Sequence, residues 1–161
     1  MAQLTIQSLF PVVGIDPGKG GAIAVMQPNG EISSVKMPDT TDKLVKHLRD
    51  LKELGYCKVW LEKLHTMPMR GSIANFKLGM NYGMLKGILT ALDMDFEEVT
   101  AKDWAKGLEF ESIPKEKYAD RKRRLKEVAI LMYPEKKITL INADAMLIAT
   151  YGWEKARGAI K

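Results

Sequence analysis

Three acidic residues stand where an acid is costly. Asp16 closes the apolar run Val12-Val13-Gly14-Ile15, Glu62 closes Cys57-Lys58-Val59-Trp60-Leu61, and Asp144 sits between Ala143 and Ala145 in a stretch otherwise apolar on that side. If the two runs are neighbouring strands, both carboxylates leave the same sheet edge. Carboxylates gathered in this way repel one another and lose hydration unless a cation neutralises them. A hard divalent ion suits them: magnesium takes oxygen donors and is held by one or two carboxylates together with substrate phosphate oxygens. Manganese is expected to substitute. Two such ions about 3.5–4 Å apart activate a water on one side of a phosphodiester and stabilise the leaving oxygen on the other, so no histidine base is obligatory. Taken singly, each acid also has a purely structural explanation: Asp16 starting a turn, Glu62 as an edge-strand charge, Asp144 as a helix-start acid favoured by the dipole.

The elements that must hold these acids read as an α/β domain spanning residues 1–161. Pro17-Gly18-Lys19-Gly20-Gly21 fits no helix or strand interior and reverses the chain. Ala22 to Met26 and Glu31 to Met37, separated by the turn Pro28-Asn29-Gly30, read as two further strands in antiparallel succession. Leu44, Val45, Leu48, Leu51 and Leu54 then recur at helical spacing and stop at Gly55. That helix is a crossover, as a parallel fourth strand ending at Glu62 requires. Residues 72–92 form a long helical pattern with the apolar stripe Ile73, Phe76, Met80, Met84, Ile88 and Leu92. Phe96 to Val99 is the fifth strand, and Thr100-Ala101-Lys102-Asp103 is a capping arrangement that opens a short helix through Trp104. Leu125, Val128, Ala129 and Met132 mark another helix, and a last one should begin near Asn142. The expectation is a mixed five-stranded sheet, three antiparallel strands then parallel ones, flanked by helices.

Composition narrows the partner. With 25 Lys and Arg against 20 Asp and Glu the net charge is +5, which favours a polyanion without establishing one. The single cysteine, Cys57, excludes an intrachain disulfide and a cysteine metal cluster, and reads as a small buried hydrophobe. No apolar run reaches the roughly 18 residues needed to span a bilayer, and Met1 to Phe10 lacks a signal-peptide pattern, so an intracellular protein without membrane partners is expected. No zinc-finger spacing, RNA-recognition aromatic signature or GxxxxGK loop is present.

In combination the acids resemble a known family. Gly14-Ile15-Asp16-Pro17-Gly18 with Gly21-Ala22-Ile23-Ala24, then Leu61-Glu62-Lys63, then Asn142-Ala143-Asp144-Ala145-Met146-Leu147-Ile148-Ala149, resemble the three acidic motifs of RuvC-type Holliday junction resolvases, in order and over most of the chain. His65-Thr66-Met67-Pro68, the stretch from Asn81 to Leu89, and Val99-Thr100-Ala101-Lys102-Asp103-Trp104 are similar to further segments of phage and bacterial members. The resemblance implies an RNase H-like fold, a homodimer, and paired symmetric nicks across a four-way DNA junction, in a bacterial cytoplasm or a phage-infected host. It also implies Asp16, Glu62 and Asp144 as catalytic metal ligands. One departure stands out: the family carries a fourth acid or a histidine about one helical turn before the last aspartate, where this chain has Ile141. Asn142 or a water fills the role, or the second ion is held weakly, or cutting is impaired. A junction-binding protein with weak or lost cleavage, or a nuclease on flaps or RNA–DNA hybrids, is the alternative, because the fold alone does not fix the substrate.

The substrate would be held by the surroundings of the acids. Lys63 and Arg70 could meet phosphates, and His65 could assist a proton transfer. The resemblance makes Met67 and Met69 candidates for an apolar wedge into the junction, though methionines covering the core are the commoner case. Basic residues from Lys115 to Lys126 form the densest positive run, to which Lys102, Lys106 and Arg157 add. Lys102, Lys106, Arg121, Arg123 and Arg124 are the candidates for backbone contacts that carry no base information. Gly79, Gly83 and Gly87 recur every four residues on the long helix, each costing about 1 kcal/mol relative to Ala. Close packing on the sheet is the commoner use of such a stripe; a second copy of the same helix is the other. Two coordinated nicks need two sites, and this assigns the glycines to a dimer interface.

Overall fold

The first strand organises the fold. β1 (Val12–Asp16) is buried along its whole length, since alternate residues face opposite sides and both sides are covered. β2 (Ala22–Met26) and β3 (Ile32–Lys36) follow through tight turns and pair antiparallel, Asp16 opposite Ala22 and Ala22 opposite Lys36. α1 (Thr41–Glu53) begins at Thr40, whose side chain accepts the Lys43 backbone N–H, and buries Leu44 and Leu48. It carries the chain back so that β4 (Lys58–Glu62) runs parallel to β1, and β5 (Asp95–Val99) runs parallel to β4. The strand order is β3-β2-β1-β4-β5, the mixed sheet expected from the sequence. The computed structural model describes residues 9–64, 71–110 and 112–160.

Helices cover both faces. α1 and α2 (Ser72–Ala91) lie over a core of Val13, Ile15, Ile23, Val59 and Leu61, with Cys57 buried at its margin as a small hydrophobe. On the other face α3 (Ala101–Gly107), α4 (Tyr118–Met132) and α5 (Ala143–Ala156) enclose Val12, Ala22, Ala24, Trp60 and Trp104. Thr100 caps α3, accepting the Asp103 N–H at 3.1 Å. Every residue of α5 from Ala143 to Gly152 is buried. Its fully buried Met146, Leu147 and Ile148 each contribute roughly 1.5–3 kcal/mol by leaving water. This depth depends on Gly14: a Cβ there would lie 2.3 Å from the Ala149 nitrogen and 2.4 Å from the Ala145 oxygen.

The long helix departs from expectation. An amphipathic stripe ordinarily faces the core, yet Ile73, Phe76 and Met80 are 73%, 68% and 58% exposed, and only Leu85 and Leu89 of α2 are buried. Nor do Gly79, Gly83 and Gly87 pack on the sheet, since a Cβ at any of them would meet nothing within 4 Å among the described residues. The close approach of backbones comes instead from Gly14, under α5. Among the described residues, no helix is long and apolar enough to cross a membrane.

Candidate active site

The sheet register brings the acids together. Ile15 pairs with Leu61, so Asp16 and Glu62 follow one step further at the carboxyl ends of β1 and β4. Both belong to the alternation that includes Gly14 and Trp60, the face covered by α5. α5 enters from above that edge, and Asp144 in its first turn completes the group. One oxygen from each of the three carboxylates lies within 4.8 Å of the others. The turn after β1 closes tightly around the first acid, for a Cβ on Gly21 would fall 1.9 Å from the Asp16 carbonyl oxygen. The resulting pocket, about 460 Å³, is also lined by Lys63, Arg121 and Lys122.

Burial makes the cluster electrostatically tense. Asp144 is 1% and Asp16 8% exposed. The Glu62 carboxyl is pushed up to about 8, first by burial and then by the charges of Asp16 and Asp144. Asp16 rises to about 6, chiefly through burial, with Lys122 opposing and Asp144 adding to the shift. The Lys122 ammonium sits between two of the acids, 2.5 Å from Asp144 Oδ2 and 3.4 Å from Asp16 Oδ2. Burial works against its charge, but Asp144 and Asp16 more than offset that, and it is held protonated above the ordinary lysine range.

The donor set suits a hard divalent cation. Three carboxylates from three separate elements converge, and Asp144 Oδ1 is buried without a hydrogen-bond partner among the described residues. An orphaned buried carboxylate oxygen is costly, and an ion bridging the three acids would remove that cost with the oxygen ligands magnesium and manganese prefer.

Other anticipated residues fall in different places. Lys63 lines the acid pocket. Lys102 and Lys106 line an adjoining cleft that shares Arg121 with the pocket, and the Arg121 guanidinium lies 5.6 Å from the centre of the Trp104 ring. Arg124 is engaged by Glu116 through bonds of 2.8 and 2.7 Å, and Arg123 is paired with Asp120. His65, Met67, Met69 and Arg70 lie outside the described residues. The possibility that Asn142 replaces the missing acid does not survive. Its Oδ1 accepts from the Thr139 backbone N–H and hydroxyl, and its Nδ2 donates to Ser34 Oγ and the Lys137 carbonyl, so the amide is used as a brace. Ile141 precedes α5 and lines a different cleft.

Lys122 belongs to the basic run read from the sequence, but the sequence reading did not place it at the acids. Its signal was available: on α4 it lies three residues before Leu125 and seven before Ala129, on the buried stripe. The density of the surrounding basic run concealed it.

A pocket of acids at the strand ends of a mixed sheet, under a deeply buried final helix, defines an RNase H-like fold with a candidate cation site. No protein-family model matches the sequence, and no curated protein matches it. Solved structures do. Thermus thermophilus RuvC is similar over 94% of this chain and 99% of its own at 14% identity and a TM-score of 0.53. T. thermophilus RuvC in complex with Holliday junction substrate is similar over 94% and 98% at 15% identity and a TM-score of 0.56. The yeast mitochondrial Holliday junction resolvase Ydc2 aligns over 96% of this chain and 81% of its own at 15% identity, with a TM-score of 0.45 too low to argue from. At these identities the likeness is one of fold, and it is to the family whose acidic motifs the sequence resembles.

Proposed function

We propose that the protein is a divalent-metal-dependent endonuclease that cuts branched DNA, four-way junctions foremost, by phosphodiester hydrolysis. The observation that carries this reading is the convergence of Asp16, Glu62 and Asp144 at one sheet edge with an unpartnered buried oxygen on Asp144. When bound there, magnesium or manganese would supply a Lewis acid and a water of lowered pKa. The chain's own groups do the rest. Asp16, Glu62 and Asp144 would hold the cation, with Glu62 in its deprotonated form. Arg121, Lys122 and Lys63 face the same pocket and draw a phosphodiester into it, offering fixed positive charge where negative charge grows during hydrolysis. Paired nicks require two such sites, and α2 offers a surface for a second copy: Ile73, Phe76 and Met80 are exposed beside glycines open to solvent. His65, Arg70, Met67 and Met69 keep the substrate roles read from the sequence as proposals of the same kind.

Cleavage of an end-labelled four-way junction with and without magnesium, beside linear duplex and RNA–DNA hybrid, tests the proposal. Symmetric nicks on the junction alone, lost in Asp16→Asn, are expected. One observation favours a second reading, a junction-binding protein that cuts poorly: the Lys122 ammonium already neutralises Asp16 and Asp144. On that reading the wild type binds the junction tightly without cutting in magnesium or manganese, and Lys122→Ala binds the ions more tightly than wild type.

A further inference from the structure

A second cleft, of about 580 Å³, opens between β3 and the segment leading into α5. Lys36, Lys136, Lys137, Ser33, Ser34, Thr139 and Asn142 supply its polar lining, and no carboxylate among the described residues contributes to it. Among the described residues none of the three ammonium groups enters an ion pair, whereas Lys43 and Lys46 on α1 each hold an aspartate. The cleft is also braced. Asn142 ties its two walls together, bonding Ser34 on one side and Thr139 with the Lys137 carbonyl on the other.

Register relates this cleft to the acids. Asp16 pairs with Ala22 and Ala22 with Lys36, so Asp16, Ala22 and Lys36 form one row across β1, β2 and β3. Paired residues share a face of the sheet, which here is the face under α5 that also carries Glu62. Two strand spacings of about 4.8 Å put Lys36 roughly 10 Å from Asp16. β3 is moreover an edge strand. Its Met37 N–H and Glu31 carbonyl are turned toward the β2 side, so by alternation the N–H groups of Ser34 and Lys36 face the open edge. Unpaired lysines, the Ser33 and Ser34 hydroxyl protons and edge amides, with no acid among the described lining residues, make a surface for phosphate oxygens.

We propose that this cleft is a second DNA-backbone site, which grips the duplex arm running away from the acid pocket on the side opposite Lys102, Lys106 and Arg121. It rests on the nuclease reading for the identity of its polyanion. Successive phosphates of one strand stand about 7 Å apart, because the backbone winds around the axis as it rises ~3.4 Å per nucleotide, so the phosphate it holds lies roughly one or two nucleotides from the one over the acids. Contacts of this kind fix the register of the arm and carry no base information.

The test is a triple variant, Lys36→Ala with Lys136→Ala and Lys137→Ala, beside a control of equal charge change on α1, Lys43→Ala with Lys46→Ala and Arg49→Ala. Affinity for a fluorescent four-way junction is measured from 50 to 200 mM salt in calcium, and manganese affinity is measured by calorimetry without DNA. The expected result is at least a tenfold loss of junction affinity in the cleft variant and a salt slope shallower by about two to three. The control and the manganese affinity of both variants should stay at wild-type values. Phosphate ethylation one or two nucleotides from the cut should weaken wild-type binding and leave the cleft variant indifferent. Equal loss in cleft variant and control, or wild-type affinity in the cleft variant, would overturn the inference. Failure of the nuclease reading shows separately, as a wild type that neither binds nor cuts the junction, and it would remove the cleft's ligand as well.

Discussion

α5 and α2 lie on opposite faces of one sheet and meet it in opposite ways. α5 is buried over ten consecutive residues and rests its backbone on Gly14, whereas α2 buries only Leu85 and Leu89 and leaves three glycines in open space. The difference teaches where close packing originates. A glycine in a strand removes the side chain that would hold a helix away, while glycines along a helix allow close approach only if something arrives. Asp144, a candidate cation ligand, travels with the first arrangement and the candidate dimer surface with the second.

Breaking the α5 contact should have the largest effect. Gly14→Val places branched atoms into the Ala145 and Ala149 backbone, where no side-chain rotation relieves the clash. A loss of about 3 kcal/mol or more in urea unfolding is expected, with Asp144 displaced and manganese affinity lost alongside.

The pH dependence of the metal-free protein probes the same junction of sheet and helix. Glu62 titrates at an ordinary 4.5 unfolded and about 8 folded, so between these values the folded state binds more protons and its stability falls as pH rises. Asp16 adds a fall between 3.8 and about 6. Glu62→Gln should remove the upper part of this decline and be more stable than wild type at pH 9 by roughly 3 kcal/mol in thermal melts, a figure that allows for partial solvent access. Saturating manganese should reverse the order, because it binds the deprotonated cluster of the wild type.

The exposed helix should behave in the opposite sense. Gly83→Ala meets no neighbour, so the chain should gain about 0.5–1 kcal/mol from helix propensity. If the α2 face joins two copies through close backbone contact, the same change weakens the dimer by sedimentation. A gain in stability with unchanged association would separate the glycines from any interface. The smallest effect on chemistry is expected at Ile141, which lines the lysine cleft and not the acid pocket: Ile141→Asp should weaken junction binding yet leave the single-turnover cutting rate at saturating protein within about threefold of wild type.

Sequence alone determined most of the sheet. The short runs between glycine-rich turns set β1, β2 and β3 and their antiparallel order, and the helical period after Thr41 set the crossover that makes β4 parallel. It also singled out the three acids, because a charge at the end of an apolar strand or inside an apolar helix is expensive enough to be conspicuous. Periodicity was silent on which face of α2 meets the sheet, since Ile73, Phe76 and Met80 form as regular a stripe as a buried face would. The partners of the basic run were hidden as well. Only the packing of α4 on α5 turns Lys122 onto Asp16 and Asp144 and leaves Arg121 facing the pocket, while Glu116, just ahead of α4, engages Arg124. Local spacing specifies an element and its direction, but which residues at two elements' ends share a site depends on how closely their backbones approach. Here that distance was decided by Gly14 beneath α5, a contact between residues more than a hundred positions apart in the chain.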